Sequence, residues 1–226
     1  MKNPIVISVG GSLIFPEQID TNFLKQFKRL IIGQIKLGQR FVLVTGGGKI
    51  CRDYNHALNA ISRPKPADLD WLGINATWLN AKLVQLMFGK LAHKEVVNDP
   101  TKKLNFKEPI LVAGGWKPGR SSDGAMVKYA QVYGAKTIIN LSNVDFVYTK
   151  DPRKFKDAKK LTNITWKELL KTTGKKWDPG TNVPFDPTAA QFAKQHKLKV
   201  VIANGHNFSN IKKILNQQEF VGTSIV

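Results

Sequence analysis

Apolar residues in this chain come in two rhythms. Short, unbroken, largely β-branched runs at 5–9, 41–44, 110–113, 137–141 and 199–203 read as strands buried on both faces. Between them, apolar positions recur every three or four residues. Phe23, Phe27, Leu30 and Ile31 predict a helix that Gly38 ends. A second helix is expected over 50–60, carrying Tyr54, Ala57 and Leu58. The breaker Arg63-Pro64-Lys65-Pro66 then precedes a long helix over 69–88, with Leu72, Thr77, Leu79, Leu83, Leu86 and Met87 as its packing positions. Further helices are expected over 123–133, 186–196 and 208–215. Residues 93–97 read as a short strand, 101–108 as a polar loop, 146–148 as a hairpin arm and 220–226 as a closing edge strand. Strands alternating with helices along the whole chain predict a three-layer αβα sandwich around a mainly parallel sheet, with 1–226 as one domain.

Strand ends add the next layer of information. Gly10-Gly11-Ser12, Gly46-Gly47-Gly48-Lys49, Gly114-Gly115 and Ser142-Asn143 each follow an apolar run. In a parallel sheet these endings share one rim, where ligands of such folds sit. Glycines without Cβ atoms let successive N–H groups face an anion, and a following helix start adds free N–H groups and partial positive charge. A phosphate-handling site is the expectation. It is neither a P-loop, because Ile50 follows Gly48-Lys49, nor a G-x-G-x-x-G dinucleotide turn.

Composition narrows the setting. Hydrophobic residues make up 42% of the 226 positions, enough for a substantial core, and no apolar run approaches the roughly 20 residues of a membrane span. A single cysteine, Cys51, excludes an internal disulfide, and the opening Met1-Lys2-Asn3-Pro4 lacks signal-peptide character. A cytoplasmic setting without membrane association is expected. Cys51 follows the glycine loop and reads as a buried, inert thiol. The 35 basic residues outnumber 16 acids, giving +19. Their scattered placement reads as a lysine-rich surface as readily as a nucleic-acid-binding face, so nucleic acid is a disfavoured partner. The four histidines have no metal-ligand spacing, and no protein metal ligands are assigned.

Taken in order, the glycine loops, Gly46-Gly47-Gly48-x-x-x-Arg52, Ser121-Ser122-Asp123, Asn143-Val144-Asp145 with Tyr148 and Asp151-Pro152, and Asp186-Pro187 with Ala189-Ala190 resemble the amino acid kinase superfamily, and within it the archaeal-type uridylate kinases. The resemblance runs from about residue 5 to the end. It implies ATP-dependent phosphorylation of UMP to UDP with Mg²⁺ on the ATP phosphates, and a hexamer built as a trimer of dimers. By the same resemblance, Gly47 contacts the UMP phosphate, and Gly11, Ser12 and Gly48 contact ATP phosphates. Arg52 works near the transferring phosphoryl group, with Lys49 as a second cation and Asp186 orienting groups around the phosphates. Asp70 recognises UMP, and Trp116, Lys117, Pro118, Gly119, Arg120, Ser121 and Ser122 form the loop that holds it. Ser142, Asn143, Tyr148 and Asp151 fall on the ATP segment, so the N-terminal part is the acceptor side and the C-terminal part the donor side.

Two positions depart from the superfamily pattern. Ser8 stands where many members have a lysine, and Phe146 where a glycine is common. If that glycine needs a positive φ, Phe146 implies strain or a rearranged turn. Plainer roles stand beside the functional ones: Asp123 and Asp186 as helix caps, Asp151-Pro152 as a turn, Tyr148 as packing. Trp71, Trp78, Trp166 and Trp177 read as core or interface residues. The alternatives within this fold are an isopentenyl phosphate kinase and a molybdenum or tungsten oxoanion store. Outside it stands a basic nucleic-acid-binding protein.

Overall fold

In a computed structural model, residues 3–152, 154–173 and 184–226 are described. The chain opens with β1 (Ile5–Val9), a short turn of helix α1 (Gly11–Ile14), α2 (Thr21–Lys36) and β2 (Phe41–Thr45). Then come α3 (Gly48–Ile61), α4 (Pro66–Phe88), β3 (Ile110–Ala113), α5 (Ser122–Tyr133) and β4 (Thr137–Ser142). The C-terminal part holds β5 (Val147–Tyr148), β6 (Lys160–Leu161), β7 (Asn163–Ile164), α6 (Trp166–Thr173), α7 (Pro187–Gln195), β8 (Lys199–Asn204), α8 (Phe208–Leu215) and β9 (Thr223–Ile225).

Helix ends follow local chemistry. Asp20 accepts from Phe23 N at 2.8 Å to start α2, and Gly38, at φ 79°, lets the chain turn away from its end. Ser121 caps α5 through a 3.1 Å bond from Gly124 N, and Gly134 ends it in the left-handed region at φ 70°. Asp186 caps α7 ahead of Pro187, accepting from Thr188 N at 2.6 Å and Ala189 N at 3.2 Å.

The main sheet has the order β3-β2-β1-β4-β8-β9-β7. The five strands from β3 to β8 are mutually parallel, while β9 runs antiparallel to β8. Because side chains alternate, each strand feeds two cores. Val6, Val42, Val44, Leu111, Ile138 and Val200 pack beneath α5, α6 and α7. Ile7, Val9, Leu43, Val112, Ile139 and Val201 pack beneath α1, α2, α4 and α8. The three-layer expectation holds. In place of the expected strand at 93–97, Ala92 and Val97 each form an isolated bridge to β3. The closing strand is not an edge, because β7 pairs on its outer side. Trp177 lies outside the described residues. Among them, no helix is long and apolar enough to cross a membrane.

Strand order also fixes where the crevice lies. β1 leads outward to β2 through α2 on one face, while β4 leads the other way to β8 through α6 and α7 on the opposite face. The chain therefore parts between the carboxyl ends of β1 and β4, the topological switch point at which α/β sheets bind ligands.

Candidate active site

Two glycine loops meet at that point, backbone against backbone. A Cβ on Gly11 would lie 2.7 Å from the carbonyl carbons of both Gly46 and Gly47, and one on Gly46 would lie 2.5 Å from Gly11 N. Gly48 has φ 71°, and a Cβ there would meet Phe15 O at 2.8 Å. Only glycine permits this approach and this conformation. Gly46 N bonds Val9 O and Lys49 N bonds Phe15 O, which ties the loops together. The N–H groups of Gly11, Ser12, Gly47 and Gly48 donate to no acceptor among the described residues. Four backbone donors are thus left at the starts of α1 and α3, an arrangement suited to phosphate oxygens.

Helix α4 anchors these loops from below, a role the sequence reading missed. Asn80, 3% exposed, donates from Nδ2 to Gly46 O at 2.8 Å and Gly47 O at 3.1 Å. One turn earlier, Thr77 Oγ1 accepts from Gly115 N at 2.6 Å and donates to Ile74 O. Trp78 Nε1 donates to Gly115 O at 2.7 Å, and Thr45 Oγ1 donates to Thr77 O at 2.9 Å. The available signal was Thr77 and Asn80, three residues apart and in helical phase with the apolar Ile74, Ala81 and Val84. Reading Leu79 and Leu86 as core positions hid it, for these are 60% and 63% exposed, whereas Ile74, Ala81, Val84 and Phe88 are buried.

The expected acceptor residues come together. Asp70 accepts from Gly119 N at 2.7 Å, where Gly119 turns the loop at φ 74°. Lys117 Nζ lies 4.2 Å over the Trp116 ring. Trp116, Gly119, Arg120 and Asp186 border a cavity of about 440 Å³ between α5 and α7. Ser121 Oγ donates to the Asp186 carboxylate, and Asp186 N donates to Asp123 Oδ2 at 2.9 Å. Ser121, not Asp123, is therefore the cap of α5, and Ser122 is its first residue. Burial first, then the Asp186 charge, raises the Asp123 pKa to about 7, against a lowering contribution from the Asp186 N–H bond.

The two cations behind the triple glycine differ. Lys49 Nζ bonds Asp53 at 2.8 and 3.0 Å and lies 3.7 Å from Glu17. The bond to Asp53 chiefly raises its pKa. Arg52, one turn on and exposed, has no hydrogen bond or ion pair among the described residues. Cys51 packs under Gly47 and Gly73, and burial pushes its thiol up, matching an inert role.

On the other side of the crevice, Gly10 N bonds Leu141 O at 3.0 Å and Gly205 N bonds Ser142 O at 2.8 Å, which brings Ser142 and Asn143 to the same rim. Tyr148 and Asp151 sit on the separate β5–β6 hairpin, which Thr223 Oγ1 ties to β9 by accepting from Val147 N at 2.8 Å. The Asp151 carbonyl accepts from Lys154 N and Phe155 N, which makes the expected turn. Phe146 is not strained: the only non-glycine residues with positive φ are Lys197 and Gln217, among the described residues. Its ring lies edge-on to Tyr148, 6.5 Å between centroids. Ser8 is buried in register with Asn140, so no cation occupies that position.

A mainly parallel sheet with its switch point at two fused glycine loops, flanked by pinned loops on either side, defines an α/β protein whose free backbone donors suit phosphate oxygens. Comparison with known proteins makes this specific: the model of the amino acid kinase family matches residues 3–204, and the chain belongs to that family. A uridylate kinase of Methanobrevibacter smithii is 34% identical over 225 residues, covering 98% of each chain. One of Thermoplasma volcanium is 34% identical over 227 residues, covering 100% of this chain and 98% of the relative. The crystal structure of uridylate kinase from Archaeoglobus fulgidus superposes with a TM-score of 0.84 at 29% identity, over 99% of this chain and 100% of that one.

Proposed function

We propose that this protein transfers the γ-phosphoryl group of ATP to UMP, giving ADP and UDP. The observation that carries the reading is the pair of fused glycine loops at the switch point, with four unused N–H donors between the Asp70–Gly119 loop and the Ser142–Asn143 rim. Gly47, Asp70 and the loop from Trp116 to Ser122 form the acceptor side. Gly11, Ser12, Gly48, Ser142, Asn143, Tyr148 and Asp151 form the donor side. The N-terminal part of a single domain thus supplies most of one seat and the C-terminal part much of the other.

The site fits the polyphosphate of ATP. Any Cβ on Gly11 or Gly48 would fill the cradle, and the free N–H groups match phosphate oxygens in kind. Among the described residues no three His, Cys, Asp or Glu side chains gather into a metal cluster. The Asp186 carboxylate and the Ser121 hydroxyl oxygen suit a hard cation whose remaining ligands come from substrate phosphates. When bound, Mg²⁺ supplies positive charge on the ATP phosphates. In the transfer, an oxygen of the ionised UMP phosphate forms a bond to the γ-phosphorus. The bond to the β,γ-bridging oxygen breaks and its electron pair leaves with ADP. The protein's task is to align the groups and stabilise charge. The loop N–H groups hold the phosphates, and Arg52 is free to bind the moving group. Lys49, held by Asp53 and Glu17, takes the lesser part.

The exposed apolar face of α4 and α3 supports self-association. Leu79 and Leu86 stand two turns apart on α4, and Trp71 on α4 and Tyr54 and Ile61 on α3 are also exposed. A homo-oligomer, as a hexamer of three dimers, and a cytoplasmic location complete the reading.

The test is ADP release with UMP, CMP, isopentenyl phosphate or acetylglutamate as acceptor. UMP is expected to give the highest kcat/KM. A higher value with another acceptor refutes the assignment, and ADP release independent of every acceptor refutes the kinase. Arg52→Ala is expected to lower kcat by about 10²-fold, the usual scale for one charge-stabilising donor, with Tm unchanged.

A further inference from the structure

We propose that the single helical turn from Thr77 to Asn80 positions both substrate seats, with Asn80 as the positioning residue of the phosphate cradle and Thr77 that of the acceptor loop. The proposal deepens the kinase reading and rests on it for its kinetic arm. A peptide unit is planar, so its carbonyl and the next residue's N–H point in opposite directions. Asn80 Nδ2 draws the carbonyls of Gly46 and Gly47 toward α4. The same two bonds therefore turn the N–H groups of Gly47 and Gly48 away from the helix. Glycine has wide conformational freedom, and three in a row hold such an orientation only when something outside the loop fixes it. Asn80 is buried, and both its bonds go to carbonyls of this loop, so neither is replaced by solvent when it is removed.

Thr77 acts on the other seat. Its hydroxyl sits between Ile74 O and Gly115 N, and a Cβ on Gly115 would come within 3.1 Å of it. Gly115 begins the loop whose far end Asp70 holds at Gly119. Three residues of α4 thus span the separation between the two loops, and Thr45, at the end of β2, is bonded to the Thr77 carbonyl. Neither Thr77 nor Asn80 needs to touch a substrate.

The two contacts predict different kinetic signatures. Asn80→Leu keeps the branched four-atom shape, though with bulkier methyl groups, and removes the donor. It is expected to lower kcat at least tenfold and to raise KM for ATP. Thr77→Val removes only the hydroxyl. It is expected to raise KM for UMP at least fivefold, with KM for ATP within twofold of the parent. The second readout is amide hydrogen exchange within 45–49 in the full chain, without substrate, followed at Gly46 and Lys49, whose N–H groups are bonded to Val9 O and Phe15 O. Exchange there is expected to be at least tenfold faster in Asn80→Leu and unchanged in Thr77→Val. Should Asn80→Leu fail to fold, Asn80→Asp, which keeps the shape but places a carboxylate oxygen against the glycine carbonyls, is expected to give the same signature. Parent-like exchange at 45–49 and parent-like kcat in the Asn80 variants overturn the proposal, as does an equal rise of both KM values in Thr77→Val. A parent protein that does not phosphorylate UMP sinks the kinase reading alone, because the exchange arm is read without turnover.

Discussion

Burial and the neighbouring Asp186 carboxylate keep a proton on Asp123 up to about pH 7. The folded pKa lies above the ordinary value of 3.8, so the native state holds an extra proton between those two pH values. Stability therefore falls as pH rises through that window and is level on either side of it. The shift corresponds to as much as about 4 kcal/mol. The parent's Tm is expected to drop between pH 5 and pH 8, and Asp123→Asn, which still accepts from Asp186 N, to flatten that drop. An unchanged pH profile in Asp123→Asn removes Asp123 as its source. Asp70 bonds Gly119 and Ser121 bonds Asp186, contacts between candidates far apart in sequence that residue types alone did not predict. The spacing from the triple glycine already ranked Arg52 above Lys49; what the sequence did not show is which acids stand near each. Asp53 and Glu17 pair with Lys49, while Arg52 has no ion pair among the described residues.

Among elements, the strands were legible because five are buried on both faces and their apolar runs are unbroken. Their endings were legible because four strands stop in glycine or small polar residues, where a single glycine pair would mark only a turn. Gly11 is the strictest case, since its missing Cβ is what lets α1 and α3 begin side by side. Gly11→Ala is expected to cost about 1–3 kcal/mol or more, the usual range for overpacking. A denaturant midpoint equal to the parent's counts against that tight approach. α4 was legible in length but not in phase. Leu69, Leu72, Leu79, Leu83 and Leu86 fall on more than one side, so periodicity alone did not show which face meets the sheet. β6, β7 and α6 were not foreseen. The two strands are two residues long each, and their pairing partners, β5 and β9, are separated from them in sequence.

At the scale of the molecule, one sheet carries a phosphate cradle at its centre and an apolar helix face at its flank. Leu79→Lys with Leu86→Lys is expected to reduce the sedimentation mass toward that of the monomer, with the far-ultraviolet circular dichroism retained. An unchanged mass means that the α4 face is not the interface. The sequence by itself determined the layer architecture and the glycine endings of the strands. Both follow from local chemistry, namely the two apolar rhythms and the conformations open to glycine. Only the tertiary structure decided that β1 and β4 part company at the switch point, that Asn80 and Thr77 hold the loops, and that Asp123 keeps its proton. Each of these depends on groups far apart along the chain that packing brings into contact, and burial then makes their hydrogen bonds and charges count.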